Sequence, residues 1–129
     1  AGEPAIHTGG ARRGDQLGQR VKDAESCTLK LPLTEKTAGL VKAELIAALP
    51  KGTLVVLVTR AGICDMPTLR RRVLADELAL AADVFDVEPL PLNDPLLGRH
   101  NVVHTPHNAG RTRHANEQWV EMLLAKFAP

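Results

Sequence analysis

The sequence predicts an α/β fold with a mostly parallel sheet, and three observations support this. Segments that fit strands alternate with segments that fit helices, in the order strand, helix, strand, helix, strand, strand, helix, as is typical of parallel sheets. The strongest strand, residues 53–59 (TLVVLVT), is almost continuously apolar, which predicts burial on both faces. Because only 2% of the residues are aromatic, we expect a core of Leu, Val, Ile and Ala.

The chain begins irregularly and then shows its first strand and helix. Residues 1–20 are rich in Gly, Arg and polar groups without periodicity, so we expect an irregular segment. Residues 26–31 predict a strand that ends at a proline. Residues 43–49 are strong helix formers followed by a Pro-Lys-Gly turn, and predict a helix. We therefore divide the chain into an irregular segment, 1–20, and one domain, 21–129.

The second half continues the alternation of strands and helices. After strand 53–59, Asp65 is a candidate helix N-cap, with a proline in the first turn of the helix that follows. Residues 80–85 and 101–104 predict two further strands. A C-terminal helix is expected from Thr112 onward, because apolar residues recur there at helical spacing. They are Ala115, Trp119, Val120, Leu123 and Phe127.

Charge and cysteine content exclude several classes of protein. The formal net charge of +1 does not indicate a nucleic-acid or membrane partner. The basic run 70–72 is best explained as a solvated helix face. The two cysteines, Cys27 and Cys64, lie in apolar surroundings and are predicted to be buried thiols. No signal peptide is visible at the N-terminus and no apolar run is long enough to span a bilayer. We therefore expect a cytoplasmic protein.

Unusual polar residues follow the predicted strands, where ligands bind in parallel sheets. Arg60, Glu88 and His107 each come shortly after a strand. Chemistry on a 2-oxo or 2-hydroxy acid needs a guanidinium for the carboxylate, an imidazole as acid and base, and a carboxylate that orients the imidazole. Each residue alone is better explained by a structural role, namely a surface ion pair for Arg60, a turn for Glu88 and a helix cap for His107. Their joint placement in these loops makes the catalytic interpretation as well supported as the structural one, and both stay open at this point.

A metal hydrolase is the competing interpretation of the histidines. His100, His104, His107 and His114 are close in sequence, but their spacing is loose, and neither a cysteine nor paired carboxylates complete a set of ligands. The sequence therefore predicts no metal site.

Four segments carry a family resemblance. Residues 28–39 (TLKLPLTEKTAG), 57–65 (LVTRAGICD), 82–91 (ADVFDVEPLP) and 101–110 (NVVHTPHNAG) resemble, in order, four motifs of the D-isomer-specific 2-hydroxyacid dehydrogenases. The resemblance implies a partial Rossmann-like fold in which residues 21–129 are the C-terminal half of the NAD(P)-binding domain. It also implies a nicotinamide cofactor, with NAD favoured over NADP, a small 2-oxo or 2-hydroxy acid substrate and a homodimer.

The resemblance further implies roles for single residues. Arg60 would bind the substrate carboxylate, Glu88 would pair with His107, and His107 would exchange a proton with the substrate oxygen. Asp83 would contact the nicotinamide carboxamide. The other implied cofactor contacts, in addition to Arg60 and His107, are Leu31, Pro32, Val58, Thr59, Asn108, Ala109 and Gly110.

The sequence also departs from the family pattern. No Gly-x-Gly-x-x-Gly occurs in it, although this loop normally receives the pyrophosphate, and Arg12 and Arg13 are only weak candidates for a phosphate contact. Ala61 replaces a usual Gly, which suggests a strained or shifted Arg60, and Glu77 stands where an apolar residue is expected. Two alternatives stay open: a fragment or truncated form of a working dehydrogenase, and a non-catalytic remnant or interaction module of the same fold.

Overall fold

The structure, a computed structural model, describes residues 6–8 and 21–127. It consists of a five-stranded sheet with helices. In chain order the strands are β1 (Ile6–Thr8), β2 (Ser26–Leu29), β3 (Leu54–Leu57), β4 (Ala79–Ala82) and β5 (Val102–His104). The helices are α1 (Ala43–Ala47), α2 (Met66–Leu74) and α3 (Arg113–Phe127).

The strands lie side by side in chain order, and the pairs from β2 to β5 are all parallel. Equivalent positions of neighbouring strands are in register, so that Leu29, Leu57 and Ala82 form one row across the sheet. β1 is antiparallel to β2. The predicted α/β fold with a mostly parallel sheet is confirmed.

The segment predicted to be irregular contains the short strand β1. Three residues are too few to show a hydrophobic alternation, so the sequence pattern did not indicate this strand. The rest of that segment, with Arg12 and Arg13, lies outside the described residues.

The strand predicted over 80–85 ends earlier, at Ala82. Asp83 and Phe85 are buried like strand residues, but the backbone N–H of Phe85 donates to the Glu88 carboxylate at 2.8 Å. Since this carboxylate takes the place of a neighbouring strand as acceptor, the chain leaves the sheet here and turns into the loop that carries Glu88.

One face of the sheet is packed against the helices, and the other is more open. Burial alternates along β2, β3 and β4, and the buried positions join Ile46 of α1 with Leu69 and Val73 of α2 in one core. On the opposite face Leu54 and Val103 are exposed. The prediction that the central strand is buried on both faces is therefore wrong for the described part of the chain, because no described helix covers this second face.

The helix α2 is capped as predicted, since the Asp65 carboxylate accepts the backbone N–H of Thr68 at 3.0 Å. Its basic run is only partly a solvated face, since Arg71 is exposed and Arg72 is not. Arg72 is only 8% exposed, and its guanidinium donates to the carbonyl oxygens of Ile46 and Leu49 at 2.6 and 2.8 Å. Arg72 therefore ties the end of α1 to α2.

The buried Arg72 also explains why Glu77 stands where an apolar residue was expected. Its carboxylate accepts from Nε of Arg72 at 2.9 Å and lies 3.2 Å from the Lys51 ammonium. These cations hold the pKa of Glu77 below its usual value. A carboxylate therefore stands where an apolar side chain was expected because it neutralises a buried guanidinium.

The C-terminal helix forms as predicted, but none of its residues is buried. Its apolar positions, among them Trp119, Leu124 and Phe127, are exposed. Within the described ranges, no helix has both the length and the apolarity needed to cross a bilayer.

Both cysteines are buried free thiols, as predicted. Burial raises the pKa of the Cys64 thiol to about 12, so that it stays protonated and unreactive at neutral pH.

Candidate active site

A cavity of about 930 Å³ lies at the carboxyl ends of the parallel strands. This is the edge where sheets of this kind bind ligands, and the volume is in the range of small-molecule and cofactor sites. The cavity is lined by Pro32, Leu33, Val58, Thr59, Arg60, Asp83, Glu88, Pro106, His107, Gly110 and Arg111. The loops that follow β2, β3, β4 and β5 all contribute.

Three of these side chains form a continuous chain of hydrogen bonds. Nδ1 of His107 lies 2.6 Å from Oε2 of Glu88, and Nε2 of His107 lies 3.2 Å from Nη1 of Arg60. A guanidinium has only donors, so Nε2 must be the acceptor in this arrangement. The proton of the neutral imidazole is therefore on Nδ1 and is donated to Glu88, which leaves the lone pair of Nε2 directed toward Arg60.

Glu88 is held as an anion that orients the imidazole. The hydrogen bond with His107 and the backbone N–H of Phe85 lower the pKa of Glu88 below its usual value, and the charge of Arg60 acts in the same direction. Each carboxylate oxygen has its own partner, because Oε1 accepts from Phe85 while Oε2 accepts from His107.

Arg60 keeps one edge of its guanidinium available. Its Nη1 donates to the carbonyl oxygen of Thr59 at 2.8 Å as well as to His107. Among the described residues, Nε and Nη2 have no hydrogen-bond partner, and this is the edge that binds a carboxylate through two parallel bonds. The expected strain from Ala61 is absent, since Arg60 has an extended backbone (φ −149°) and Ala61 is buried in the following turn.

Asp83 anchors the loop that carries His107. It is only 3% exposed, and its carboxylate accepts from Oγ1 of Thr105 at 2.5 Å and from the backbone N–H groups of Asn108 and Ala109 at 2.8 and 3.0 Å. Burial alone would raise the pKa of Asp83, but these hydrogen bonds outweigh it, so that the pKa is lowered. Asp83 is therefore ionised and holds both sides of His107.

The backbone of His107 needs such an anchor. Its φ of +52° lies in the left-handed region, which is uncommon for a residue with a Cβ atom. The N–H groups held by Asp83 belong to the two residues directly after it. The imidazole position therefore depends on a buried carboxylate that the sequence motif did not connect with it.

The cavity contains most of the predicted cofactor contacts but not all of them. Pro32, Val58, Thr59 and Gly110 line it, together with Asp83 and the three residues of the hydrogen-bonded chain. Within the described part of the chain, Leu31, Asn108 and Ala109 do not: Leu31 is buried in the core, and the other two direct their N–H groups at Asp83.

Three lining residues were missed by the sequence analysis, namely Leu33, Pro106 and Arg111. Leu33 lies within 3.2 Å of the point where a side chain on Gly62 would begin, a contact between separate loops that no local pattern indicates. Arg111 directly follows the motif that ends at Gly110, and this position next to a predicted site was the available signal.

A second cavity of about 440 Å³ shares Asp83, Glu88, Pro106 and His107 with the first. Its other lining residues are mainly apolar and include Phe85, Leu90 and Leu97. The imidazole therefore lies between a polar and an apolar space.

The histidines have separate partners. Nε2 of His100 lies 3.8 Å from Asp76, and His104 packs edge-on against the ring of Phe85. Within residues 21–127, no group of three or more His, Cys, Asp or Glu side chains is arranged to hold a metal ion.

Comparison with known proteins shows which family the chain resembles. The family model described as D-isomer specific 2-hydroxyacid dehydrogenase, NAD binding domain, matches residues 3–109. The D-3-phosphoglycerate dehydrogenase of Methanocaldococcus jannaschii is 36% identical over 104 residues, which are 80% of this chain and 20% of that protein. The (S)-sulfolactate dehydrogenase of Chromohalobacter salexigens is 33% identical over 111 residues, or 84% of this chain and 36% of that protein.

A solved structure agrees with this placement. The crystal structure of a D-isomer specific 2-hydroxyacid dehydrogenase from Xanthobacter autotrophicus Py2 has a TM-score of 0.72 and 36% identity, and the match covers 84% of this chain and 37% of that one. The chain thus spans little more than a third, or less, of the relatives' lengths. It belongs to the D-isomer-specific 2-hydroxyacid dehydrogenase family, and its match is to the NAD-binding domain of that family.

Proposed function

We propose that this chain supplies the catalytic side of an NAD(P)-dependent oxidoreductase that interconverts 2-oxo and 2-hydroxy acids. The observation that carries the proposal is the hydrogen-bonded chain of Glu88, His107 and Arg60 at the wall of one cavity. Its groups are an orienting carboxylate, an acid and base that works near neutrality, and a cation for a carboxylate.

His107 exchanges the proton of the substrate oxygen. In oxidation the Nε2 lone pair accepts the proton of the hydroxyl group, and the resulting imidazolium is stabilised by the Glu88 carboxylate 2.6 Å from Nδ1. In reduction the protonated Nε2 returns the proton to the oxygen of the former carbonyl. Glu88 keeps Nδ1 protonated throughout, so that only Nε2 takes part in the exchange.

Arg60 binds and orients the substrate. The Nε and Nη2 edge of its guanidinium takes the carboxylate, while Nη1 remains beside Nε2 of His107. The C2 hydroxyl of a bound acid would then replace the Arg60–His107 hydrogen bond, because it would donate to the Nε2 lone pair while its oxygen accepts from Nη1. The same cation would polarise a carbonyl at that place.

The cofactor would be held at the carboxyl ends of the strands by the residues that line the cavity. Val58, Thr59 and Gly110 offer an apolar and partly backbone surface for a nicotinamide ring, which would supply the hydride chemistry when bound. Oδ2 of Asp83 accepts only one hydrogen bond from the described residues, so it can accept another from the carboxamide. NAD is favoured over NADP, as the resemblance suggests.

The alternative, a non-catalytic remnant or interaction module of the same fold, has its own observation. The apolar side chains of α3, among them Trp119, Leu124 and Phe127, are exposed, and an exposed apolar surface is typical of a protein interaction site. A homodimer remains the expected assembly, and a cytoplasmic location stays a prediction.

Kinetics on the whole chain separate the two functions. With NADH and glyoxylate, we expect turnover that is lost in Arg60→Ala and His107→Ala and retained in Arg113→Ala, since Arg113 lies outside the cavity and pairs with Glu117. NADH fluorescence titrations report cofactor binding independently. Absence of both turnover and NADH binding in the folded wild-type chain would favour the non-catalytic alternative.

A further inference from the structure

Two arginines face the main cavity, and only one of them has a place in the proposed reaction. Arg60 and Arg111 line it together with the carboxylates of Asp83 and Glu88. Among the described residues, neither carboxylate forms a direct ion pair with Arg60 or Arg111, because each accepts from other donors. Asp83 is occupied by Thr105 and two backbone N–H groups, and Glu88 by His107 and a backbone N–H.

Arg111 differs from most other arginines of the described chain. Arg70, Arg72, Arg99 and Arg113 each form an ion pair with a carboxylate. Among the described residues, no ion pair or side-chain hydrogen bond involves Arg111. Arg111 thus lines the cavity without a described carboxylate within ion-pair distance, and a ligand can supply that anion.

The loop fixes Arg111 relative to the catalytic imidazole. Its backbone N–H donates to the carbonyl oxygen of Asn108 at 2.9 Å, and Asn108 is itself held by Asp83. On the other side Thr112 caps α3, because its Oγ1 accepts the N–H of Ala115 at 3.1 Å. The base of the Arg111 side chain is therefore anchored four residues after His107, at the wall of the same cavity.

The other space beside the imidazole does not suit an anion. The smaller cavity is lined mainly by apolar side chains such as Phe85, Leu90 and Leu97, and an unpaired charge is costly in such surroundings. If the first carboxylate of an acid is on Arg60 and its C2 oxygen is at His107, a second anionic group is accommodated best on the Arg111 side.

We infer that Arg111 determines substrate specificity by binding a second anionic group, and that the preferred substrate is a 2-oxo or 2-hydroxy acid carrying a second carboxylate, phosphate or sulfonate. The inference rests on the proposed function, because it takes Arg60 as the site of the first carboxylate. The planar guanidinium forms two parallel hydrogen bonds with each of these oxyanions, so the class is defined by charge and geometry.

The test compares two acids of equal carbon number on the whole chain. 2-Oxopentanedioate carries the second carboxylate and 2-oxopentanoate lacks it. Dissociation constants are measured by calorimetry for the wild type, Arg111→Gln and the matched control Arg113→Gln. We expect the wild type and the control to bind the dianion roughly tenfold to a hundredfold more tightly, as charge-assisted hydrogen bonds allow. In Arg111→Gln this ratio falls close to one, and Arg111→Lys restores part of it.

A further variant, Arg60→Gln, separates this inference from the proposed function. We expect Arg60→Gln to bind both acids more weakly and only Arg111→Gln to lose the preference for the dianion. This result supports the proposed function and the inference about Arg111. If Arg60→Gln weakens both acids while Arg111→Gln keeps the preference, only the inference about Arg111 is overturned. If Arg60→Gln weakens neither acid, or neither binds the wild type, the proposed function fails and the inference with it. Weaker NADH binding in Arg111→Gln with an unchanged acid preference would assign Arg111 to the cofactor and overturn the inference.

Discussion

Oδ1 of Asp83 lies 2.5 Å from Oγ1 of Thr105, and this contact joins the end of β4 to the loop after β5. The same carboxylate binds two N–H groups beyond His107. His107, with its left-handed backbone, is therefore held from both sides by one buried anion. Asp83 acts on the imidazole through the backbone and is a positioning residue in this respect.

Removing the Thr105 hydroxyl should loosen this loop. In Thr105→Val the buried carboxylate loses one of its donors, which we expect to cost about 1.5–3 kcal/mol of unfolding free energy, the range for hydrogen bonds to charged groups. Amide hydrogen exchange at Asn108 and Ala109 should become faster, as NMR can measure. Thr105→Ser keeps the hydroxyl and should behave like the wild type. Unchanged exchange in Thr105→Val would contradict the positioning role.

The ionisation of Asp83 should make stability depend on pH. Its pKa is lowered in the folded state, so its stabilising contribution is complete above the unfolded value of about 3.9 and is lost as the pH falls through the lower folded value. The difference in unfolding free energy between the wild type and Asp83→Asn should therefore be largest near neutrality and shrink in acid. Urea titrations across this range measure it, and a constant difference would refute the assignment.

The imidazole tautomer should depend on Glu88. In the wild type, ¹⁵N NMR of His107 should show a protonated Nδ1 and an unprotonated Nε2 in the neutral ring, because Nδ1 donates to a carboxylate at 2.6 Å. In Glu88→Gln the Nε2–H form should gain population, since a neutral amide orients the ring less strongly. Glu117→Gln, on the exposed helix α3, serves as the control. The same spectrum in all three proteins would show that Glu88 does not set the tautomer.

Arg72 should contribute far more to stability than its neighbour Arg71. Arg72→Met removes the donor that Arg72 supplies to the carbonyl oxygens of Ile46 and Leu49 and to Oε2 of Glu77, and we expect a loss of about 2–4 kcal/mol of unfolding free energy. Arg71 is exposed on the same helix, so Arg71→Met should change the unfolding free energy by no more than about 0.5 kcal/mol. Chemical denaturation of both variants tests the contrast, and equal losses would contradict the role given to Arg72.

Self-association should depend on the exposed apolar surface of α3. Leu124 is 65% exposed, and sedimentation of the wild-type chain should give a mass that rises with concentration as such surfaces pair. Leu124→Lys should weaken this association, whereas Gln118→Lys, which adds the same charge at a polar position of the helix, should not. A wild-type chain that stays monomeric at every concentration would exclude the predicted homodimer under these conditions.

Local patterns were sufficient for the strands and helices after residue 20 and for the edge of the sheet that carries the site. The order of strands and helices after residue 20 follows from hydrophobic runs and breakers, and the Asp65 cap follows from residue type. The boundaries were less accurate, as at Ala82, because the strand ends where a side chain from the next loop replaces a strand as hydrogen-bond acceptor. This replacement of one acceptor by another depends on how the loop after β4 turns back in three dimensions.

By itself, the sequence determined the fold class, the family and the identity of Arg60, Glu88 and His107 as the residues to consider, because residue type and spacing along one strand or loop carry that information. Only the tertiary structure decided that Asp83 anchors the His107 loop, that Arg72 is buried and that Arg111 faces the cavity. In each case the partners lie on separate elements or loops. Their contacts follow from how the elements pack, and local patterns do not encode that packing.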